Sequence, residues 1–495
     1  MVGALRLRPE RARTIMLTRE ADRLKEPLAS EHAMVTYAEE LVLGDLDRTG
    51  SIALLRDRGL GDRGEHELGR LHERTRGHPK GLELCAGLLV GGMAIEELEE
   101  MPLFRGSGDE DTSLKRILRE TEKRLSRDEL RLLQRCSVFD EPFDARAVAA
   151  VYRRDEWVEV ADKLERRFLL SRRNGRYDLH PLVREYFYDG LKDEVVFVHG
   201  LAGHYYLGEA NDAGDKAQRL TLNLKAHRHF ELAKDNRQLI DLFWPVFNGL
   251  NLAGRGEEAA RVCELAHDAC RALKDREAEA DSLGALALVR AHQGRVGEAI
   301  GLNKRALHIA GEIGDRRGQG NHLGNLGLAY AALGEVERAI EHHEQALEIS
   351  REIGDRRGQG NHLGNLGSAY ADLGEVEKAI GYYQQALEIS REIGDRPGEG
   401  SRLHNLGDEL VKAGQNERAL ACLLSAVEVG RAIDDPRMSG REARIEELKQ
   451  KLGEEEFARL LESVEPNKAT IVEDMLQSRT QRDDTGTSAG KRDGR

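Results

Sequence analysis

Along the second half of the chain apolar residues fall three and four positions apart, a spacing that gathers them on one face of a helix. A leucine–glycine break interrupts that rhythm at Leu333-Gly334 and, forty residues on, at Leu373-Gly374. The pattern predicts two helices per unit joined by a tight turn. Gly334 is the expected left-handed cap, Asp315 the N-cap of the first helix, and Gly327 and Ala339 the small residues that let paired helices approach closely. The segment from Asp315 to Gly354 recurs from Asp355 to Gly394 with seven differences in forty positions. A weaker copy follows at Leu403, Leu406, Gly407, Leu410, Gly414, Ala419 and Ala426. Another precedes at Leu283, Leu286, Ala287, Gly294, Ala299 and Ala306, and a degenerate one keeps Gly254, Ala259 and Ala266. No such helix can bury its apolar stripe alone. Stacked hairpins bury it against their neighbours, so the expected fold is all-α: an α-solenoid with a concave and a convex face.

The first two hundred residues show no internal repeat. Thr14 to Leu17 reads as a short strand, and Gly77-His78-Pro79-Lys80-Gly81-Leu82 leads into the apolar helical run Leu84 to Val90. Helical segments around Leu125 to Cys136, Ala145 to Tyr152 and Trp157 to Arg167 precede hairpin-like runs at Phe168-Leu169-Leu170 and Tyr177-Asp178-Leu179-His180. Asn174-Gly175 between these runs is a strong two-residue turn signal. Helices followed by a small hairpin make a winged helix. The expected division is 1–112, 113–194 for the winged helix, 195–240 as helical connector, 241–440 for about five repeats, 441–477 as capping helices, and a polar, disordered tail over 478–495.

Composition narrows the function classes. The chain has 495 residues, 40% hydrophobic and 33% charged, with a formal net charge of -14. That balance argues against a general nucleic-acid binder, which needs a surplus of Lys and Arg on its binding face. The five cysteines are scattered without a CxxC pair, so they read as small buried hydrophobes in a reducing compartment. With no apolar run long enough to span a membrane and no signal-peptide core at the N-terminus, the expected location is cytoplasmic.

The Leu, Gly, Tyr and Ala positions of the repeat resemble the tetratricopeptide family, in the forty-residue variety found in Pins-type adaptors and kinesin light chains. One departure is Leu323, Leu363 and Leu403 where the general signature places a bulky aromatic. The resemblance implies that first helices line the groove and that the partner is a protein or peptide. Read at four-residue steps, the groove stripe is Arg317, Asn321, Asn325 and Leu328, then Arg357, Asn361, Asn365 and Ser368, then Pro397, Ser401, Asn405 and Asp408. Carboxamides can pair with the backbone of an extended chain, and peptide-clamping family members use an Asn at the place of Asn325, Asn365 and Asn405. The bland alternative is that duplication copied these residues or that they bond the adjacent turn. Arg317 and Arg357 suit an acidic partner, or are solvated or paired with Asp315 and Asp355. His342 and His343 give way to Tyr382 and Tyr383 in the next repeat, which favours packing over metal binding.

The front half resembles the back half of signal-transduction ATPases of the NB-ARC type. Leu17-Thr18-Arg19 is similar to the Thr-Thr-Arg that senses the terminal phosphate, Gly77-His78-Pro79 to the Gly-x-Pro that touches adenine, and Leu179-His180-Pro181 to the Met-His-Asp whose histidine meets the diphosphate. No GxxxxGK[ST] loop and no acidic Mg²⁺ strand occur in the sequence, so hydrolysis by this chain alone is not expected and no cofactor is assigned. Three accounts stand open: a start assigned too late, a first half on a separate polypeptide, or a remnant kept as scaffold. Under the first two Arg19, Pro79 and His180 are nucleotide contacts for ADP or ATP; under the third they are structural. The expected function is therefore a non-enzymatic interaction scaffold or sensor, with a nucleotide-dependent signalling switch as the alternative. A transcriptional regulator is a further alternative, for which a separate DNA-binding domain is not evident.

Overall fold

The computed structural model describes residues 3–6, 14–17, 45–101 and 110–477. Contacts divide the chain into two units, one ending at Asp235 and one beginning at Asn236. No helix among the described residues is long and apolar enough to cross a membrane.

In the first unit β1 (Gly3–Arg6) and β2 (Thr14–Leu17) pair antiparallel. Arg19 and Ser478 to Arg495 lie outside the described residues. The helices α1 (Arg48–Leu55), α2 (Glu65–Thr75), α3 (Pro79–Val90) and α4 (Ile95–Glu100) follow. Gly77 turns the chain into α3 with φ of 81°. A side chain there would stand 2.0 Å from the Leu46 carbonyl, and the Gly77 carbonyl accepts from the Leu46 amide at 2.9 Å. Pro79 then fills the first helical position, where its missing N–H costs nothing.

Helices α5 (Glu110–Lys123), α6 (Arg127–Cys136), α7 (Ala145–Tyr152) and α8 (Trp157–Arg166) lead into β3 (Ser171–Arg173) and β4 (Arg176–Asp178). A reciprocal capping box between Ser126 and Glu129 separates α5 from α6. The hairpin turns at Asn174-Gly175, both with positive φ, and Phe143 and Tyr177 exchange backbone hydrogen bonds of 2.9 and 2.7 Å. Helices α6, α7 and α8, a bridging strand position at Phe143 between α6 and α7, and a terminal hairpin give the winged-helix arrangement. Its first strand is displaced from the expected Phe168-Leu169-Leu170. Phe168 adopts a left-handed conformation, and the Leu169 amide donates to the Leu164 carbonyl to close α8. Leu169 and Leu170 are thus buried in the core, and pairing begins at Ser171. Then α9 (Pro181–Asp189) precedes a hairpin of α10 (Val195–Asp212) and α11 (Lys216–Leu232). That hairpin closes where Gly203 leaves room for the Phe230 ring.

The second unit is a continuous series of helical hairpins. It opens with α12 (Asn236–Asp241), α13 (Phe243–Leu252) and α14 (Gly256–Leu273). Four regular hairpins follow: α15 (Arg276–His292) with α16 (Val296–Ile313), α17 (Arg316–Ala332) with α18 (Val336–Glu352), α19 (Arg356–Asp372) with α20 (Val376–Glu392), and α21 (Arg396–Lys412) with α22 (Asn416–Ala432). Asp275, Asp315, Asp355 and Asp395 each cap a first helix by accepting from the amide three residues on, at 2.9 to 3.2 Å. Gly294, Gly334, Gly374 and Gly414 reverse the chain inside each hairpin with φ between 71° and 76°. Within hairpins, Gly327, Gly367 and Gly407 face the side chains of His343, Tyr383 and Leu423; a methyl on Gly327 would stand 2.6 Å from the imidazole. All five cysteines are free and buried.

The last hairpin is closed by α23 (Met438–Leu452), α24 (Glu454–Val464) and a final helical stretch over 468–477. Leu448, Phe457, Val464, Val472, Met475 and Leu476 join Leu410, Leu420 and Leu423 in one core cluster. An apolar face that would otherwise meet water is covered.

Between hairpins the left-handed position is Gly314, Gly354 and Gly394, but Lys274 at φ of 59° in the first linker. A side chain with a Cβ is strained there by ~1 kcal/mol. Lys274→Gly is therefore expected to raise the midpoint of thermal unfolding, followed by circular dichroism, whereas Gly354→Lys lowers it.

Candidate functional site

The face that could hold a ligand is set by how the first helices meet. Successive first helices α15, α17, α19 and α21 pack on one another, while successive second helices touch less. The side built from first helices is therefore the inner one. Glycine makes this approach possible: Gly284 faces His322, Gly324 faces His362, and Gly364 faces Arg402, each pair bridging two neighbouring first helices. A methyl on Gly324 would stand 2.7 Å from the His362 ring. Arg402 also donates to the Gly360 carbonyl and to Asn361 Oδ1, both at 3.4 Å.

On α17 the buried side is formed by Leu323, Leu326, Ala329 and Tyr330. The stripe at Arg317, Asn321, Asn325 and Leu328 lies on the opposite side, with Arg317, Asn321 and Leu328 exposed and Asn325 half-buried. On α19 Arg357, Asn361 and Ser368 are exposed and Asn365 is half-buried; on α21 Asn405 is half-buried. Three successive first helices thus carry a half-buried carboxamide at the same level. Asn325, Asn365 and Asn405 enter no side-chain hydrogen bond among the described residues.

Arg317 and Arg357 are not paired with the capping aspartates. The ionic role falls to their neighbours: Arg316 bridges to Glu352 and Arg356 to Glu392, tying the start of each first helix to the end of its second helix. These arginines also donate to Gln319 and Gln359 at 2.8 Å. Gln319 and Gln359 in turn donate to the Ala310 and Ser350 carbonyls of the preceding hairpin. Sequence reading missed this clamp, although an acid thirty-six residues beyond each arginine, repeated as Arg276 with Glu312, was a usable signal.

His342 and His343 pack as expected. His342 stacks on Tyr330 with ring centroids 5.2 Å apart, and Tyr382 repeats the stack on Tyr370 at the same distance. His343 is buried under Gly327. Among the described residues no cluster of three or more metal-ligating side chains exists. His322, His343 and His362 are all buried, and both ring nitrogens of His322 and the Nδ1 atoms of the other two lack a hydrogen-bond partner. Burial pushes His322 and His343 down to about 4 from an ordinary 6.5. His362 is lowered for the same reason, with Asp355 opposing.

In the first unit Pro79 and His180 both sit at helix N-termini. His78 caps α3 by accepting from the Gly81 amide at 3.2 Å, and His180 caps α9 by accepting from Leu182 at 3.3 Å. Lys80, the second residue of α3, donates from Nζ to the Phe168 carbonyl at 2.7 Å, and its charge is felt by Asp178, two residues before His180.

A regular array of capped, forty-residue helical hairpins stacked through small residues defines a helical solenoid of repeats. The tetratricopeptide repeat model matches residues 279–352, 318–392 and 358–432, and this stretch of the chain is a tetratricopeptide array. A comparison with curated proteins yields no significant match. Among solved structures, the chain is similar to a signal-transduction ATPase with numerous domains from Pyrococcus horikoshii that carries a tetratricopeptide repeat sensor. The identity is 20%, the TM-score 0.38, and 88% of this chain and 69% of that one are covered. It is similar also to a putative kinesin light chain from Podosopora anserina, with nearly identical repeats, at 20% identity and TM-score 0.33 over 40% of this chain and 95% of that one. Aspartyl phosphate phosphatase F from Bacillus subtilis is 12% identical with a TM-score of 0.39, covering 89% and 97%.

An imidazole whose folded pKa lies below its unfolded value binds fewer protons in the native state, so stability is complete above pH 6.5 and falls as the pH drops toward 4. The array is expected to lose thermal stability through that window. The Leu328→Ser/His343→Tyr pair, which installs the Ser368–Tyr383 arrangement of the next repeat, should flatten the fall in a pH series of melting curves.

Proposed function

We propose that this chain is a cytoplasmic interaction scaffold or sensor arm that holds an extended peptide, or an extended segment of a partner protein, on the inner face of residues 241–440, with 441–477 as the cap. The observation that supports this is the row of half-buried carboxamides with unused donors and acceptors, Asn325, Asn365 and Asn405. An extended chain crossing successive first helices offers each of them a peptide group, and a carboxamide can donate to its carbonyl while accepting from its amide. Asn321 and Asn361 widen the same row, and Arg317 and Arg357 flank it. Replacing Asn325, Asn365 and Asn405 together with Ala is expected to abolish enrichment of binders from a random-peptide display library on the full chain, with the helical circular-dichroism spectrum unchanged. Equal enrichment on both proteins would count against the groove.

A second reading, in which the first unit is the regulatory part of a nucleotide-dependent switch, draws on Pro79 and His180. Each stands at a helix N-terminus with a histidine cap, and such termini favour anions. Under this reading isothermal titration of ADP into the full chain gives saturable heat that His180→Ala removes. An absence of heat, or heat unchanged by the substitution, disposes of it.

A further inference from the structure

The second residue of each regular first helix forms a ladder across the inner face: Glu277, Arg317, Arg357 and Pro397, all exposed. No ion pair holds Glu277, Arg317 or Arg357 among the described residues. This is unusual within their own turns. The preceding residues Arg276, Arg316 and Arg356 are each committed to a glutamate on the second helix of the hairpin. In these three pairs one residue is spent on the fold and the other leaves an exposed, unpaired charge on the proposed ligand face. The signs read negative, positive, positive, neutral. Asp281, in the place of Asn321, lies at the same end: burial and the charges of Asp315, Glu277 and Asp275 push its carboxyl up to about 6 against a hydrogen bond from Trp244, so it is ionised at neutral pH.

Packed helices stand roughly 8–10 Å apart, and an extended chain advances about 3.3 Å per residue. One rung of the ladder therefore corresponds to about three residues of an extended ligand. We propose, on the basis of the peptide-groove reading above, that the ligand is an extended segment carrying a basic residue and two acidic residues at three-residue intervals, the basic one at the α15 end. Exposed ion pairs contribute modestly, so this charge order selects among peptides while the carboxamides hold the backbone.

The test is the residue statistics of the random-peptide library selected on the full chain. The expected pool carries Lys or Arg, then Asp or Glu, then Asp or Glu, each three positions apart, in either chain direction. Arg357→Glu should turn the outer acidic preference into a basic one, and Glu277→Arg should turn the basic preference acidic, each change shifting enrichment ~3-fold or more at that one position. A pool that is lost with the Asn325, Asn365 and Asn405 substitutions, yet shows no charge order or ignores both reversals, overturns this inference and leaves the groove standing. Enrichment indifferent to the asparagines, or none at all, overturns both.

Discussion

The array rests on side chains that occupy the space a glycine leaves empty on the neighbouring helix. Within hairpins the pairs are Gly327 with His343, Gly367 with Tyr383 and Gly407 with Leu423. Between hairpins they are Gly284 with His322, Gly324 with His362 and Gly364 with Arg402. Glycine inside a helix is unfavourable by roughly 0.5–1 kcal/mol relative to alanine, and each of these positions accepts that cost to bring two backbones together. The first set determines how tightly a hairpin closes. The second brings the first helices side by side, and so fixes the spacing of everything displayed on the inner face.

The same close contacts explain why aromatic and cationic side chains alternate at equivalent places. The site under the hairpin glycine takes an imidazole, a phenol or a leucine, and the seam site takes imidazole twice and guanidinium once. Flat or branched groups fit the slot, and what differs is how their polar atoms are satisfied. Tyr383 bonds Ser368 at 3.0 Å, Arg402 reaches a backbone carbonyl but leaves its Nε bare, and the imidazoles keep bare nitrogens in the core. An unpaired buried polar group is costly, so every seam from His322 to Arg402 carries that cost, and only the Tyr383 hydroxyl beneath its hairpin glycine is fully paired.

Much of the array was legible because its determinants are local. Aspartate caps, left-handed glycines and apolar spacing act within one or two turns, and each lies where the sequence pattern put it. The interior glycines at 284, 324 and 364 also carried a message, since they interrupt otherwise good helices at a regular interval. What they faced could not be read, because the partner is thirty-eight residues away on another helix. Arg316 and Arg317 show the same limit at closer range: the residues are identical, and only the helical phase commits one to Glu352 and turns the other outward. In the first unit the wing began three residues later than apolar character suggested. Leucines at 169 and 170 serve the core equally well from a non-extended backbone, and the left-handed turn at Phe168 leaves no mark in a hydrophobic pattern.

The near-identity of two consecutive units has a genetic side. Segments 315–354 and 355–394 differ at seven positions, none of which is a capping aspartate, a turn glycine or a clamp arginine. Removing one unit would set Gly324 against Arg402, a pairing of glycine with arginine that Gly364 already makes, and inserting another would repeat the pairing of Gly324 with His362. Unequal crossing-over between the two coding segments would thus lengthen or shorten the protein in steps that keep its glycine pairings, altering the reach of the inner face by one rung.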